Sequence, residues 1–245
     1  MITVSIVSHG HGAMVERLVT QLLEYPEVAR IVVTRNIPEP TLFPPDGRVA
    51  VIDNATSKGF GANHNAAFTH CQGDCYCVLN PDIRLPSNPF PMLLQVLESE
   101  KCGVVAPAVI GPEGGVEDSI RHFPVPSGLM AKLIGLGDGR YRFALGDAPF
   151  AADWVGGMFM LFRSDLFTRL SGFDEGFFLY YEDVDICARV WKAGSSVVAC
   201  PAVMVIHDAH RASHRNWQHM RWHLGSMARY FRKHLGRLPM LVSLR

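Results

Sequence analysis

Three carboxylates fall within four positions of the stretch FFLYYEDVDICARV, Phe177 to Val190: Glu182, Asp183 and Asp185, directly behind Phe177, Phe178, Tyr180 and Tyr181. Acids are favoured in the first turn of a helix by the positive end of its dipole. Val184, Cys187, Ala188 and Trp191 do recur at helical spacing, up to a stop at Gly194. Capping explains the acids but not their aromatic neighbours. A second candidate is VLNPDIRLP, where Pro81 fixes a turn and Asp82 emerges from an apolar run; His207 follows another such run in VMVIHDAH. Hard oxygen ligands plus one imidazole suit Mg²⁺ or Mn²⁺ holding a diphosphate. A turn aspartate and a buried, hydrogen-bonded histidine would look the same in sequence. A third cluster is His207, His210, His214, His219 and His223, the last two four apart as on one helical face. No glutamate stands near them as in HExxH, which counts against a metal-dependent hydrolase; a zinc assay separates that case.

Other chemistries are excluded. SHGHGAMV carries Gly10 and Gly12 but has Val15 where a dinucleotide fingerprint needs its third glycine, and GxxxxGK[ST] is absent. The spacing in CQGDCYC matches no common zinc site, so the six cysteines read as reduced, buried thiols.

Positioning the acids needs a scaffold. The chain has 245 residues, 48% hydrophobic and 19% charged, which suits one large α/β domain with a substantial core. ITVSIVS reads as the first strand, followed by a helix from Ala13 to Leu23 with Val15, Leu18, Val19 and Leu22 on one face. RIVVT, RVAVID, CYCVLN and GVVAPAVI read as further strands, with helices from Gly61 to Cys71 and from Pro91 to Glu100. VGGMFMLF returns to strand character, and Val197 to Ile206 reads as one or two short strands. This alternation predicts a mostly parallel, doubly wound, Rossmann-like sheet flanked by helices, with ligands at the carboxyl ends of the strands. Between Gly111 and Phe150 the periodicity fails, and long loops over the substrate side are expected. No run approaches the roughly 20 apolar residues of a membrane span. MITVSIVSHG reads as a strand rather than a leader, so a cytoplasmic protein is expected.

The formal net charge of zero conceals an asymmetry. After Asp208 there are eight bases and no acid, leaving fifteen bases against all 23 acids before it. An acidic body with a basic tail points to an anionic surface for the tail, and no nucleic-acid partner is expected. From 215 to 235, Trp217, Met220, Leu224, Met227 and Phe231 make an apolar helical stripe flanked by Arg221, Arg229, Arg232 and Lys233. Such a helix packs on the catalytic body or on a second subunit, giving a homodimer, or lies on the inner face of the cytoplasmic membrane.

As an ordered set, these blocks resemble the family 2 glycosyltransferases, with their GT-A fold, and especially their bacterial rhamnosyltransferase-like branch. VSIVSHG occupies the first-strand position, and SKGFGANHNAAF the glycine- and asparagine-rich turn into a helix. VLNPDIRL stands where the family has an Asp-x-Asp variant, here Asn80-Pro81-Asp82. DWVGGMFMLFRSDLFTRLSGFDEGFFLYYEDVDICARVWKAG matches the acceptor-side block, and VIHDAH the distal histidine. The likeness runs from about Ile2 to His210. It implies a catalytic domain over 1–210, with a nucleotide-sugar half (1–110) and an acceptor half (111–210), followed by a basic helical extension (211–245).

The resemblance implies inverting transfer of a sugar from a nucleotide diphosphate donor to a hydroxyl of a glycan or lipid-linked acceptor in cell-surface polysaccharide synthesis. L-Rhamnose from dTDP-rhamnose is the first expectation, with a galactofuranosyl, glucosyl or other hexosyl donor next. Asp183 falls on the family's base, and Asp82 and His207 on the holders of Mg²⁺ or Mn²⁺. Glu182 and Asp185 then order the helix start or bind acceptor hydroxyls. The aromatics would form a sugar-stacking wall and raise the basicity of a nearby carboxylate by limiting its solvation. Trp154 would stack on a sugar or fill the core; Gly156 and Gly157 would let the backbone approach the donor sugar, or simply pack.

The expected donor contacts are Ser8, Asn36, Asp53, Asn54, Lys58, Gly61, Asn80 and Asp82. Two departures fall on this side. Arg35 stands where the family commonly has an aspartate that reads the base, and Ser8-His9-Gly10 where a Thr-Tyr-Asn type is usual. The nucleobase therefore stays open. A non-catalytic sugar-nucleotide binder of the same fold would have lost the base or the metal acid, and this chain keeps both Asp183 and Asp82.

Overall fold

A computed structural model describes residues 1–99, 101–208 and 217–239. The N-terminal half forms β1 (Ile2–Ser8), α1 (Ala13–Leu22), β2 (Val28–Arg35), β3 (Val49–Asp53), α2 (Phe60–Phe68), β4 (Cys75–Leu79), β5 (Ile83–Arg84), α3 (Phe90–Leu97) and β6 (Cys102–Ile110). The remainder adds β7 (Ile120–Arg121), α4 (Pro126–Leu133), β8 (Phe150–Ala151), β9 (Trp154–Val155), β10 (Phe159–Arg163), α5 (Ser164–Arg169), α6 (Glu182–Lys192), β11 (Ser196–His207) and α7 (Trp217–His234).

The main sheet runs β3-β2-β1-β4-β10-β6-β11-β5, with β8 also on β11. β1 to β4 form one parallel ladder, and β6 pairs in parallel with β11. β10 enters between β4 and β6, antiparallel to both. Every residue of β4 and β6 is buried, as expected of strands covered on both faces. One core lies under α1 and α3 and includes Ile6, Leu18, Leu22, Phe90 and Phe159. The other, with Tyr76, Phe162, Phe167, Phe177 and Ile186, lies under α5 and α6.

The mostly parallel α/β sheet is as the sequence implies, with differences in detail. VGGMFMLF is two strands, β9 and β10, separated by a turn at residues 156–158, so the glycines leave the sheet instead of weakening it. Val197 to Ile206 belongs to a single strand, β11, whose register shifts between Cys200 and Met204. The 111–150 region is mostly loop, but it supplies α4 and pairs β7 against β9.

α7 packs on the rest of the fold through a face beside its apolar stripe, and the stripe's C-terminal member Phe231 joins that contact. Ser226, Tyr230 and His234 are its buried residues, and Ser226 Oγ donates to the Leu179 carbonyl at 2.8 Å. Arg229 and Lys233 hold Asp174 at 2.8 and 2.7 Å; Lys233 and His234 both reach Asp185 at 2.7 Å. Met227 and Phe231 are half-buried, while Trp217, Met220 and Leu224 face outward. The expectations that fall on Arg215, His210 and His214 lie outside the described residues.

These ion pairs carry a pH dependence. Burial opposes ionisation of Asp174 and Asp185, but hydrogen bonds from Lys233 and Arg229 to the first outweigh it, as do His234, Arg189 and Lys233 at the second. Both carboxyls therefore titrate below the usual range. A depressed folded pKa stabilises above the unfolded value, roughly 3.9 for aspartate, and that contribution is lost as pH falls below it. Amide exchange in α7, corrected for intrinsic rates, should therefore accelerate relative to α1 between about pH 4 and pH 2. A constant ratio across that window would show that the ion pairs do not hold the helix.

Candidate active site

The chain enters α6 through Tyr180 and Tyr181, which are left-handed with φ of 70° and 67°. Such conformations cost about 1–3 kcal/mol each and persist where the surroundings over-determine them. The Tyr180 hydroxyl meets His219 Nδ1 at 2.9 Å, and its ring packs on His223. Tyr181 packs on His223 and Tyr230, and Phe178 on Trp222. The Phe178 carbonyl accepts the Phe60 N–H at 2.9 Å. Gly59 permits that approach, since a Cβ there would sit 2.6 Å from the same carbonyl oxygen. The aromatics thus fix the acid-bearing turn between α2 and α7, and His219 and His223 pack on tyrosines.

Asp183 is half-buried. Its Oδ2 accepts the Gly157 N–H at 3.1 Å and its Oδ1 the Val184 N–H at 2.8 Å. The missing side chain of Gly157 matters here: a Cβ would lie 3.1 Å from the Phe60 ring and 3.7 Å from Asp183 Cβ. Burial raises the Asp183 pKa, and the donated hydrogen bonds moderate the rise. Glu182 is buried, and its Oε2 has no partner. Burial first, and the Asp183 charge second, push its pKa well up. Both carboxyls are thus raised by burial, and of the two it is Asp183 that receives the Gly157 and Val184 backbone N–H donors, which favour its charged form.

Both acids line a cleft of about 480 Å³ with Arg121, His122, Trp154, Lys132 of α4, and His223 and Met227 of α7. The Trp154 indole donates to the His122 carbonyl at 3.0 Å, which holds its half-buried ring in the cleft wall. Asp153, which motif reading passed over, ties the facing loop by accepting the Tyr141 hydroxyl and the Phe123 N–H, each at 2.7 Å.

Asp82 and His207 meet at the far ends of β4 and β11, with His207 Nε2 3.2 Å from Asp82 Oδ2. The other ring nitrogen, Nδ1, lies 2.7 Å from Glu117 Oε2. Burial alone would lower the His207 pKa, but the two carboxylates together raise it to about 9. Burial likewise opposes the Asp82 charge, and His207 more than offsets it, so that carboxyl is held low. Among the described residues no three ligating side chains converge on one point. Asp82 and His207 are the residues that would hold a divalent ion here, with phosphate oxygens of a bound nucleotide to complete its shell. Asp82 Oδ1 is buried without a partner, and the Glu117 carboxylate orients the imidazole as it does in many metal sites. An ion taking Nε2 would have to displace its proton. Glu117→Gln should weaken Mn²⁺ affinity about 10–100-fold, as outer-shell losses typically do; titration calorimetry showing unchanged affinity would remove Glu117 from this role.

Backbone contacts join the two acid sites. The Asn80 N–H donates to the Met158 carbonyl at 2.9 Å, next to Gly157, and the Gly156 N–H to the Ser119 carbonyl at 2.8 Å, two residues from Glu117. The β4–β10 pairing thereby sets Asn80-Pro81-Asp82 beside the turn that carries the Asp183 partner.

On the nucleotide side, several expected donor contacts are engaged by the protein itself. Asn36 Oδ1 accepts the Lys58 N–H at 2.8 Å and the Asn54 amide at 2.9 Å, and Asn54 reaches Asn63 at 2.6 Å. This buried asparagine relay staples the 54–59 loop and leaves the Lys58 side chain exposed. Asp53 is not free: Arg35 holds it in a two-pronged pair at 2.6 and 2.8 Å. Ser8 is buried and accepts the His11 N–H at 3.3 Å. Gly61 is a packing glycine, since its Cβ would lie 2.7 Å from Phe173 Cβ. Asp185, expected at the helix start or on the acceptor, is fully buried against Arg189, Lys233 and His234 and does not line the cleft.

Comparison with known proteins agrees with this architecture. The family model described as "Glycosyltransferase like family 2" matches residues 2–225. The rhamnosyltransferase WbbL of Escherichia coli K12 is 30% identical over 243 residues, covering 94% of this chain and 92% of its own. The N-acetylglucosaminyl-diphospho-decaprenol L-rhamnosyltransferase of Mycobacterium tuberculosis is 29% identical, and the match covers 58% of this chain and half of that one. Among solved structures, GalNAc-T7 with UDP, GalNAc and Mn²⁺ superposes with a TM-score of 0.68 at 15% identity, covering 88% of this chain and 44% of that one. The mannosyltransferase PcManGT of Pyrobaculum calidifontis with GDP-Man and Mn²⁺ gives 0.63 at 16% identity, covering 94% and 64%. Matched over nearly its whole described length, and built on the same sheet, the chain belongs to the family 2 glycosyltransferases and has their GT-A fold.

Proposed function

We propose that the protein is an inverting hexosyltransferase that moves L-rhamnose from dTDP-rhamnose to a hydroxyl of a glycan or lipid-linked acceptor, in the assembly of a cell-surface polysaccharide. The observation that carries this reading is the placement of Asp183 in a cleft, with its Oδ2 on the Gly157 amide and its basicity raised by burial. A hydroxyl bound there gives its proton to Asp183 as its oxygen bonds to the anomeric carbon. Attack opposite the leaving diphosphate inverts that carbon. The backbone N–H donors favour the charged form of Asp183, and Trp154 offers a face for the acceptor ring. Asp82 and His207 would hold Mg²⁺ or Mn²⁺, which supplies charge for the departing diphosphate. Lys58, exposed on the stapled loop, is placed to meet the phosphates. The rhamnosyl donor is supported by the two rhamnosyltransferases among its relatives, and the metal by the Mn²⁺ in the two solved neighbours.

The test is a thermal-shift and hydrolysis screen across nucleotide sugars with Mg²⁺ and Mn²⁺. A native-state ligand raises the melting midpoint by mass action. Stabilisation and turnover with dTDP-rhamnose are expected. Stabilisation by another nucleotide sugar instead would reassign the donor, and binding without hydrolysis or transfer would mark a non-catalytic relative.

A further inference from the structure

The outward face of α7 and the end of α4 flank the mouth of the cleft that holds Asp183. At 100° per residue, Trp217, Met220 and Leu224 project away from the buried Ser226 and Tyr230. His223 and Met227 lie on one flank of this stripe, in the cleft wall, and Arg221 and Arg232 on the other. Across the mouth, α4 brings Lys132 to the cleft, while Met130, Ile134 and Leu136 stand out from it. These six apolar side chains range from 51% to 77% exposed. Single exposed apolar residues are ordinary, but large ones gathered at one rim mark an interaction surface.

Charge indicates what the rim meets. Arg229 and Lys233 are engaged with Asp174 and Asp185, whereas Arg221, Arg232 and Arg237 are exposed. No Asp or Glu follows Asp208 anywhere in the sequence. We propose that this rim is a membrane-docking face whose occupant is the anionic headgroup surface of a lipid bilayer, with the apolar side chains seated at the acyl boundary. Amphipathic helices bind this way, combining buried apolar area with attraction to anionic lipid. A second copy of the chain would set cations against cations, which opposes association. The proposal rests on reading the cleft as the acceptor's: a rim seated on a bilayer presents Asp183 to hydroxyls carried at headgroup height.

The test uses the full chain, without donor or acceptor, on phosphatidylcholine vesicles with and without phosphatidylglycerol. Binding to the anionic vesicles is expected, with a blue shift of tryptophan emission and weakening as salt screens the charges. Arg221→Gln with Arg232→Gln should lower partitioning about thirtyfold. Trp217→Ser with Met220→Ser and Leu224→Ser should lower it without changing the salt dependence. All five side chains point outward, so both variants should melt with the wild type; if one fails to fold, the other reads the same face. Indifference of the wild type to anionic vesicles at low salt, or unchanged partitioning of the variants, overturns the proposal. Self-association abolished by the serine variant would give the face to a second copy. Failure of the sugar-transfer reading would leave the vesicle result standing, and failure here would leave transfer to soluble acceptors intact.

Discussion

Asp183→Asn is expected to cut sugar transfer by about 10²–10⁴-fold, the usual contribution of a general base. Donor affinity should be nearly unchanged, because the carboxylate acts on the acceptor and its loss should appear in turnover. Asparagine is isosteric and its amide oxygen can still accept the Gly157 N–H, so the turn at residues 156–158 should keep its shape. A variant retaining more than about a tenth of wild-type turnover would assign the base elsewhere, with Glu182 as the nearest alternative. The pH profile offers a second readout. Burial raises the Asp183 pKa, and a base works only when deprotonated. The acid limb of kcat/KM should therefore rise with pH through a pKa above the ordinary aspartate value of roughly 3.9, and should disappear in the variant.

Asp82→Ala is expected to remove divalent-ion dependence and donor diphosphate binding together. The loss should be at least about a hundredfold, since even outer-shell changes at metal sites cost 10–100-fold. The substitution takes away both the Oδ2 that faces His207 and the partnerless Oδ1, and leaves the imidazole with Glu117 alone. Melting midpoints measured with dTDP or another nucleoside diphosphate, with and without Mn²⁺, separate the two effects. The wild type should be stabilised by nucleotide plus ion, and Asp82→Ala by neither combination. Full wild-type activity in EDTA would sink the metal reading and leave Lys58, Arg35 or the N-terminus of α2 to counter the phosphate charge.

The apolar, β-branched runs were enough to place β1 and β2, and β4 and β6 followed because a strand buried on both faces is apolar along most of its length. The acid-rich start of α6, the turn before Asp82 and the end of β11 at His207 were legible for a similar reason. Each is a polar group set at the edge of an apolar element, and its position follows from local pattern alone. Partners were not legible. Glu117 reaches His207 across 90 residues, from a segment without periodicity. Asn36 and Asn54 read as donor contacts, but that Asn63 joins them in a buried relay, beside the pairing of Arg35 with Asp53 across β2 and β3, is set by the tertiary structure alone. Asp185 sits two residues from Asp183, yet the helical turn points it at α7 instead of the cleft. The apolar stripe of α7 was visible at its spacing, but the helix docks mainly by the adjacent face of Ser226, Tyr230 and His234, and Trp217, Met220 and Leu224 stay exposed. Asp185 is a buried carboxylate that would be costly to leave unpaired, and half-buried Asp174 lies beside it; Arg229, Lys233 and His234 satisfy them. Periodicity records which residues share a face; which face is buried depends on the charges waiting in the rest of the fold.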